Sequence, residues 1–404
     1  MFWFYWITGV GLALAWTFSV VQAALNHHRM ADITQPAWDP PPDAALPSLT
    51  IVVPARDEAA AVEPALRSLL HLDYPNYQVI VVNDRSTDDT GRIMQRLAAK
   101  PEFRGRLRVL HVQNLPEGWL GKTHAMWLGA RQTVIPGQPP FGAMGPNAAS
   151  DWILFTDADC VFRPDALRRA IHYARKTAID HLVVFPTAIT GSWGERMMIS
   201  FPQVSANLAI RHWKVRDPNA KDSIGVGAFN LIRRTAYEAV GTYEKLRLAV
   251  VDDLKLGEAV KQAGLRQDVV FGPDLVSLRW AVGAMGVVAN LEKNLFAFFR
   301  FRISLALAAC ALLFTLCMAP FIGLILAPGW TRVGYAVAVA MIAGLHIMTA
   351  RVSCISPLIF VTFPLGAALF LFAVLQSAFL ALRDGGITWR GTKYSLEELR
   401  KGSG

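Results

Sequence analysis

Four long apolar stretches, one at the N-terminus and three near the C-terminus, constrain this 404-residue chain more than any other feature of its sequence. The first covers residues 2–25, which carry no charged side chain and are long enough to cross a bilayer as a helix. The other three cover about 303–327, 333–350 and 355–382. Between them, short apolar runs alternate with helical patterns, as in a soluble α/β domain. A membrane-attached protein with one soluble domain is therefore expected.

The first apolar stretch has two interpretations, an uncleaved anchor or a signal peptide. A signal peptide begins with a basic region and ends at a cleavage site of small residues. Here Met1 is followed by five aromatic or apolar residues, and the basic residues His27, His28 and Arg29 come after the stretch. We therefore expect an uncleaved anchor in the cell (inner) membrane, in a multi-pass protein. Because basic residues favour the cytoplasm, the soluble domain is expected to face it.

Changes in composition along the chain predict five regions. They are an anchor (1–26), a proline-rich linker (27–48), an α/β domain (49–300), a membrane region (301–383) and a basic juxtamembrane tail (384–404). Within the α/β domain, residues 133–150 are predicted to form a loop.

The basic tail conflicts with a simple count of spans. One anchor and three full spans would place the tail opposite the α/β domain, yet its basic residues favour the cytoplasm. Either the last stretch is re-entrant, because Pro357 and Pro364 interrupt its first half, or three full spans put the tail outside. The re-entrant interpretation is favoured.

The overall composition excludes several classes of protein. The chain is 53% hydrophobic and 18% charged, against about 25% charged for a soluble domain, which excludes a disordered chain. Its four cysteines form no CxxC pair, which argues against a disulfide framework or a zinc site. The net charge of +9 suits an anionic membrane surface or a polyanionic substrate. Nucleic acid is disfavoured, because the basic residues are not clustered with aromatic ones.

Acidic clusters occur at four places in the soluble segment. They are 54–58 (PARDE), 83–89 (NDRSTDD), 157–159 (DAD) and 252–253 (DD). Helix caps and acidic first turns explain part of this pattern. They do not explain Asp84 at the tip of an apolar strand. Asp157 and Asp159 share one face of a strand, where like charges repel unless a cation such as Mg²⁺ neutralises them. Either residue of the DD pair suits a helix cap or a general base.

Taken together, the order of the four clusters resembles family 2 glycosyltransferases of the GT-A fold, which move a sugar from a nucleotide-sugar to an acceptor. The resemblance covers about residues 48–300. The apolar stretches, the GWLGK motif at 118–122 and the WRGTKY tail are similar to the membrane-bound subset that glycosylates lipids, such as hopanoid- and carotenoid-associated enzymes. The resemblance implies an α/β fold with a mixed, mostly parallel sheet flanked by helices. The implied acceptor is a hopanoid, a carotenoid or another polyprenoid or glycolipid.

The resemblance also implies roles on the donor side. Pro54, Arg56 and Glu58 would line the nucleotide pocket, and Asp84 would contact the base or ribose of a donor such as a UDP-sugar. Lys122 would sit over the diphosphate, although a lysine on a helix surface is the simpler interpretation.

For the metal and the reaction, the resemblance implies a further set of roles. Asp157 and Asp159 match the DxD motif that holds Mg²⁺ or Mn²⁺, with Asp159 as the more direct ligand and Asp157 also facing the donor. Asp253 matches the catalytic base of an inverting displacement. Asp252 stands beside it, where many members have Glu.

One motif departs from the family pattern. Many membrane members carry Q/R-x-x-R-W after the last aspartate, but here Arg279 and Trp280 are preceded by Val276 at the glutamine position. The better counterpart is the helix with Lys293 and Asn294. Lys293 is predicted to contact the donor phosphates or to be an interfacial lysine. Residues 191–213 fit either a core helix or an interfacial helix that guides a lipid.

Two other functions remain open from the sequence. A polysaccharide synthase would need more spans, and a non-catalytic scaffold would have no need of Asp253. The expected partners are a nucleotide-sugar, a lipid acceptor and the bilayer, with no nucleic acid and no evident protein partner.

Overall fold

The computed structural model of the chain describes residues 2–41, 44–132 and 150–402. The predicted loop at 133–150 lies outside them except for its last residue. The strands are β1 (Leu49–Ala55), β2 (Tyr77–Asp84), β3 (Leu107–Val112), β4 (Trp152–Phe155), β5 (Val161–Phe162), β6 (His181–Phe185), β7 (Thr187–Ala188), β8 (Asn230–Arg233), β9 (Gln267–Phe271), β10 (Val276–Leu278), β11 (Gly386–Trp389) and β12 (Thr392–Ser395).

The α-helices are α1 (Phe2–Asn26), α2 (Val62–Leu70), α3 (Thr90–Ala98), α4 (Gly121–Arg131), α5 (Ala166–Lys176), α6 (Trp193–Ser205), α7 (Arg234–Ala239), α8 (Thr242–Lys245), α9 (Asp252–Gln262), α10 (Gly283–Phe298), α11 (Ile303–Leu313), α12 (Ala319–Leu326), α13 (Arg332–Ser353), α14 (Phe363–Arg383) and α15 (Leu396–Lys401). A π-helical turn (Phe314–Met318) joins α11 to α12, and a 3₁₀ helix (Pro357–Thr362) precedes α14.

A seven-stranded sheet in the order β3-β2-β1-β4-β8-β6-β9 forms the centre of the α/β domain. β8 runs antiparallel to both of its neighbours, and the other strand pairs are parallel. Every residue of β1 and β2 is buried, as expected for strands covered by helices on both faces. The predicted mixed, mostly parallel sheet with flanking helices is confirmed.

The topology brings the acidic clusters to one edge of this sheet. β1, β2 and β4 are parallel and end at Ala55, Asp84 and Phe155. The antiparallel strand β8 begins at the same edge with Asn230. Ligands of open α/β sheets bind at such carboxyl edges, because the loops that follow the strands meet there.

Within the part of the chain that the structure describes, four helical segments are long and apolar enough to cross a membrane. They are Phe2–Arg29, Ile303–Leu326, Gly329–Ala350 and Pro357–Arg383. α1 packs closely along α13, where a Cβ atom on Gly334 would lie 2.5 Å from the carbonyl carbon of Gly9. Glycines at this crossing let the two backbones approach, as is common between membrane helices.

The segment between the anchor and the α/β domain packs onto that domain. Ile33 is fully buried in the domain core, and Asp32 forms a bridge with Phe271 at the edge of β9. The Arg169 guanidinium donates hydrogen bonds to the carbonyls of Ile33 and Thr34, both at 3.1 Å. The anchor is therefore joined to the domain by an ordered connection.

The C-terminal tail also packs onto the α/β domain. β11 and β12 form an antiparallel hairpin, and Arg390 at its tip forms an ion pair with Glu58. The Tyr394 hydroxyl accepts a hydrogen bond from the Gly121 amide at 3.2 Å. The tail thus lies at the carboxyl edge of the sheet.

Candidate active site

One cavity of about 960 Å³ at the carboxyl edge of the sheet contains every residue for which the sequence predicts a role. These residues are Pro54, Arg56, Glu58, Asp84, Lys122, Asp157, Asp159, Asp252, Asp253, Lys293 and Asn294. They come from loops and helix ends that are far apart in the chain. The fold is therefore what brings them together.

The first two acidic clusters hold each other in place. Asp57 accepts a hydrogen bond from the Thr87 amide at 2.7 Å, and Asp88 accepts one from the Ala59 amide at 3.0 Å. Asp57 adopts a left-handed backbone with φ of 53°, which fits the tight turn after β1. These two carboxylates thus have local structural roles, but the helix-cap interpretation is wrong for α2 and α3, because the residue at the N-cap of each helix makes no side-chain cap hydrogen bond.

Asp84 forms a buried ion pair at one end of the cavity. Both of its oxygens accept hydrogen bonds from the Arg85 guanidinium, at 2.8 and 3.1 Å. The Arg56 guanidinium lies 3.8 Å from a carboxylate oxygen of Asp84. α4 begins against the carboxylate, since a Cβ on Gly121 would lie 2.1 Å from an Asp84 oxygen. Only glycine allows this approach, which places the amino end of α4 and Lys122 inside the cavity.

Lys122 joins the donor-side aspartates to the DD pair. Its ammonium lies 2.8 Å from Asp157 and 3.4 Å from Asp252. Burial by itself lowers the pKa of this lysine, but the three neighbouring carboxylates raise it well above its usual value. Lys122 therefore remains a cation at neutral pH, and it lies within the cavity rather than on an exposed helix surface.

Asp157 and Asp159 do not share one face of a strand as predicted, because β4 ends at Phe155 and Asp159 lies in the turn that follows. Both still offer hard oxygen ligands to the same cavity. Burial, and then the charges of Asp157 and Glu58, raise the pKa of Asp159 to about 6. This excess of negative charge suits a divalent cation. Among the described residues, no group of three or more His, Cys, Asp and Glu side chains is placed to hold a metal. A cation here would therefore need oxygen ligands from a bound molecule as well.

The DD pair begins α9, and its two aspartates have different partners. Asp253 accepts hydrogen bonds from the amides of Gly227 at 2.9 Å and Leu254 at 2.8 Å. Asp252 faces Lys122. Burial raises the pKa of Asp253, and it raises the pKa of Asp252 to about 7. Both carboxylates can therefore accept a proton more readily than an exposed aspartate.

Two glycines before β8 allow these carboxylates to come together. A Cβ on Gly225 would lie 1.8 Å from the Asp253 carbonyl oxygen. A Cβ on Gly227 would lie 2.4 Å from a carboxylate oxygen of Asp157. Each of these glycines is therefore needed for a close approach.

The cavity continues from the carboxylates to the apolar helices. Ala23 of α1, Pro202 of α6, and Leu345 and Met348 of α13 line this part. α6 packs against α14, with Phe201 in ring contact with Phe363 and Phe370. The helix within 191–213 thus lies between the α/β domain and the apolar helices, and it combines a buried face with a face on the cavity.

Both versions of the Q/R-x-x-R-W counterpart lie at this junction. Arg279 and Trp280 line the cavity, as do Lys293 and Asn294. Arg279 pairs with the buried Glu195 at 3.0 Å, and the Asn290 amide donates a hydrogen bond to the Trp280 carbonyl at 2.6 Å. The two segments therefore form one wall.

The sequence did not predict the part that the tail plays in this cavity. Trp389, Arg390 and Tyr394 all line it. The available signal was the Arg-Gly pair between two short alternating runs, which is a hairpin pattern. That pattern predicts the hairpin but not the surface on which it packs.

The mixed sheet, the antiparallel β8 and the acidic residues at the carboxyl edge define a transferase of the GT-A class. A family model described as "Glycosyltransferase like family 2" matches residues 47–280. The chain belongs to this family, and it is a glycosyltransferase.

Relatives and solved structures agree with this family. The chain is 25% identical over 362 residues to a 4,4'-diaponeurosporenoate glycosyltransferase of Staphylococcus aureus (strain USA300), covering 87% of this chain and 89% of that protein. A mannosyltransferase of Pyrobaculum calidifontis, solved in complex with GDP-Man and Mn²⁺, shares the fold with a TM-score of 0.50. That structure is 19% identical and covers 94% of this chain and 99% of its own.

Proposed function

We propose that this glycosyltransferase moves a sugar, with inversion, from a nucleotide-sugar to an apolar lipid at the cytoplasmic face of the cell membrane. The donor is a nucleoside diphosphate sugar, with a UDP-sugar as the first candidate. The acceptor is a hopanoid, a carotenoid or another polyprenoid or glycolipid. Mg²⁺ or Mn²⁺ is the cofactor.

The observation that carries the proposal is the continuity of the cavity. Its charged end holds Asp84, Lys122 and the DxD aspartates, and its apolar end is lined by Ala23 and Leu345 of two candidate membrane helices. Asp253 lies on the same cavity. A polar donor and an apolar acceptor can therefore meet at one carboxylate without leaving the protein. The S. aureus relative is named a 4,4'-diaponeurosporenoate glycosyltransferase, which supports a carotenoid-type acceptor.

On the donor side, each residue has a role that suits its surroundings. Arg56 and Asp84 border the nucleotide, and Glu58 closes the same pocket. The cationic Lys122 lies where the diphosphate would be, and it stabilises the charge that develops on the leaving group. Lys293 and Asn294 on α10 complete the wall.

The DxD aspartates fit a divalent cation. Asp157 and Asp159 would hold it, with Asp159 as the more direct ligand, and the donor phosphates would supply further oxygens. When bound, the ion neutralises charge on the diphosphate. The mannosyltransferase neighbour was solved with ligands of these two classes, a nucleotide-sugar and Mn²⁺.

On the acceptor side, Asp253 is the general base. Hydrogen bonds from two backbone amides fix its carboxylate, and burial raises its pKa toward the range in which a base works well. It takes the proton of the acceptor hydroxyl as that oxygen bonds to the sugar carbon and the bond from this carbon to the nucleoside diphosphate breaks. Asp252 holds Lys122 beside the reacting groups. One carboxylate acting on the acceptor, with no covalent intermediate, gives inversion.

The positions of the helix ends support a re-entrant α14. α13 ends beside the cavity, and the tail after α14 contacts Glu58 and Gly121 at the same edge of the domain. The segment between them therefore begins and ends on one side of the membrane. In this topology α1, α11–α12 and α13 cross, and α14 enters and leaves on the cytoplasmic side.

Comparing the lipids of cells with and without this protein tests the proposal. Mass spectrometry should show a lipid that gains one sugar when the protein is present. Purified protein in detergent should then transfer that sugar from one of a set of nucleotide-sugars. A sugar polymer of increasing length, instead of a single glycolipid, would contradict the proposal and favour a polysaccharide synthase.

A further inference from the structure

The C-terminal hairpin contacts the donor side of the cavity through three side chains. Arg390 forms an ion pair with Glu58. The Tyr394 hydroxyl accepts a hydrogen bond from the Gly121 amide at 3.2 Å, next to Lys122. The Lys293 ammonium lies over the Trp389 ring, 5.4 Å from the ring centroid.

The fourth residue of the hairpin that reaches this site is Thr392. Its hydroxyl accepts hydrogen bonds from Arg56 at 3.2 Å and from Arg85 at 3.4 Å. These are the two arginines beside Asp84. The hairpin therefore touches four of the segments to which we assign donor binding: the turn after β1, the end of β2, the start of α4, and α10.

The turn of the hairpin places a long cation at its tip. Arg390 and Gly391 both have left-handed backbones, with φ of 47° and 75°, as in a two-residue turn of type I′. Asn, Asp and Gly are the usual residues at the first of these positions, and a residue such as arginine is strained there. The turn itself does not require a guanidinium at this position. The strained arginine therefore indicates a role in the cavity that its side chain faces.

The base of the hairpin is fixed. The Leu396 amide donates a hydrogen bond to the Gly385 carbonyl at 3.0 Å, and Ser395 caps α15 with Glu398. The Arg400 guanidinium donates to the Phe301 carbonyl at 3.2 Å. The backbone is thereby held, whereas the Arg390 side chain is 34% exposed. Its guanidinium can change partner without any movement of the hairpin.

We propose that Arg390 binds the diphosphate of the donor, and that Glu58 is its partner when no donor is bound. This inference rests on the proposed function, because it takes the donor to be a nucleoside diphosphate sugar. A diphosphate carries more negative charge than one carboxylate and offers oxygens that match a guanidinium in pairs. Lys122 and Arg390, which both line this cavity, then hold the phosphates together. The tail thus supplies a donor-binding residue to the α/β domain.

Nucleotide binding by the full chain in detergent tests this inference. Binding of UDP, UMP, GDP and GMP is measured by calorimetry in the presence of Mn²⁺ for wild type, Arg390→Ala and Arg390→Lys. Lys393→Ala is the matched control, because it removes the same charge from an exposed position of the same hairpin. Arg390→Ala should weaken binding of the nucleoside diphosphate roughly 10- to 100-fold. Binding of the monophosphate should change much less.

The outcomes separate this inference from the proposed function. If wild type binds neither diphosphate, the proposed function fails. If wild type binds one of the diphosphates and Arg390→Ala binds it with an affinity within twofold of wild type, only the role of Arg390 fails. An equal loss of affinity for monophosphate and diphosphate in Arg390→Ala would also overturn the role of Arg390, since that result is expected if the hairpin has only a structural role. Should Arg390→Ala not fold, Arg390→Lys decides, with an expected loss of a few-fold confined to the diphosphate.

Discussion

Replacing Gly227 by alanine tests how closely the donor side and the base are coupled. The Gly227 amide holds Asp253 at 2.9 Å, and its carbonyl accepts a hydrogen bond from the Asp157 amide at 3.1 Å. The added Cβ would lie 2.4 Å from one oxygen of the Asp157 carboxylate and 3.2 Å from its carbon. An ordinary contact needs at least 3.4 Å. The carboxylate must therefore move by about 1 Å, which disturbs its 2.8 Å contact with Lys122.

A displacement of this size in a positioned catalytic group costs roughly 100-fold in rate. That factor corresponds to about 2.7 kcal/mol of transition-state stabilisation. We therefore expect Gly227→Ala to lower kcat/KM for the nucleotide-sugar by about two orders of magnitude. The melting temperature should change little, because the backbone of residue 227 is not in the left-handed region.

The assay is sugar transfer by purified enzyme at several donor concentrations, with a thermal melt of each variant. Gly286→Ala is the control, since its Cβ meets only an ordinary contact at 3.5 Å with Ala281. Near-wild-type kcat/KM for Gly227→Ala would refute the reasoning. It would mean that the position of Asp157 does not matter for the donor.

Three further predictions concern charge, pH and topology. Lys122→Met should lose at least about 100-fold in turnover, because no cation then faces the leaving group, and Lys122→Arg should keep more of the activity. Burial lowers the pKa of His181 to about 4, so the unfolded state binds more protons between pH 6.5 and pH 4 and stability falls as the pH drops through that window. Between pH 7.5 and pH 5 the loss of folding stability due to His181 amounts to about 2 kcal/mol. In thermal melts at the two pH values, the His181→Gln variant should not show this loss. Cys354, exposed after α13, should react with an impermeant maleimide only from the cytoplasmic side, whereas a Trp330→Cys variant that also carries Cys354→Ser should react only from the other side.

Each of these has a clear contrary result. Full turnover by Lys122→Met would remove the lysine from the mechanism. An unchanged difference in melting temperature for His181→Gln would show that other groups set the loss of stability in acid. Labelling of Cys354 from the outer side would contradict a cytoplasmic end of α13 and, with it, the proposed crossing of α11–α12 and α13.

The acidic clusters could be predicted from the sequence because their geometry is local. An apolar strand that ends in Asp84, or shortly before the pair Asp157 and Asp159, delivers those carboxylates to the carboxyl edge of a parallel sheet in almost any α/β order. The position of Lys122 was implied only by the family resemblance, because the contact that admits the start of α4 is between Gly121 and the distant Asp84.

The contributions of the tail and of the connecting segment depend on contacts between distant residues, so no local pattern contains them. Arg390 and Glu58 are 332 positions apart. The connection after the anchor looks like a linker because of its prolines, yet Ile33 is fully buried in the domain core. The need for glycine at 225 and 227 was likewise invisible, because the atoms that would clash belong to Asp253 and Asp157.

The most direct test of the central claim is the Asp253→Asn variant in a reconstituted transfer reaction. The variant removes the base while keeping the size of the side chain. Asp89→Asn is the control, because it makes the same change at an exposed aspartate that precedes a helix. Nucleoside diphosphate binding and glycolipid formation are measured on the same preparations.

We predict that Asp253→Asn binds the nucleotide within a few-fold of wild type and forms no more than about 1% of the wild-type glycolipid. Asp89→Asn should match wild type in both measurements. Glycolipid formation by Asp253→Asn at a rate near that of wild type would contradict the assignment of the base and, with it, the way in which this cavity joins donor and acceptor.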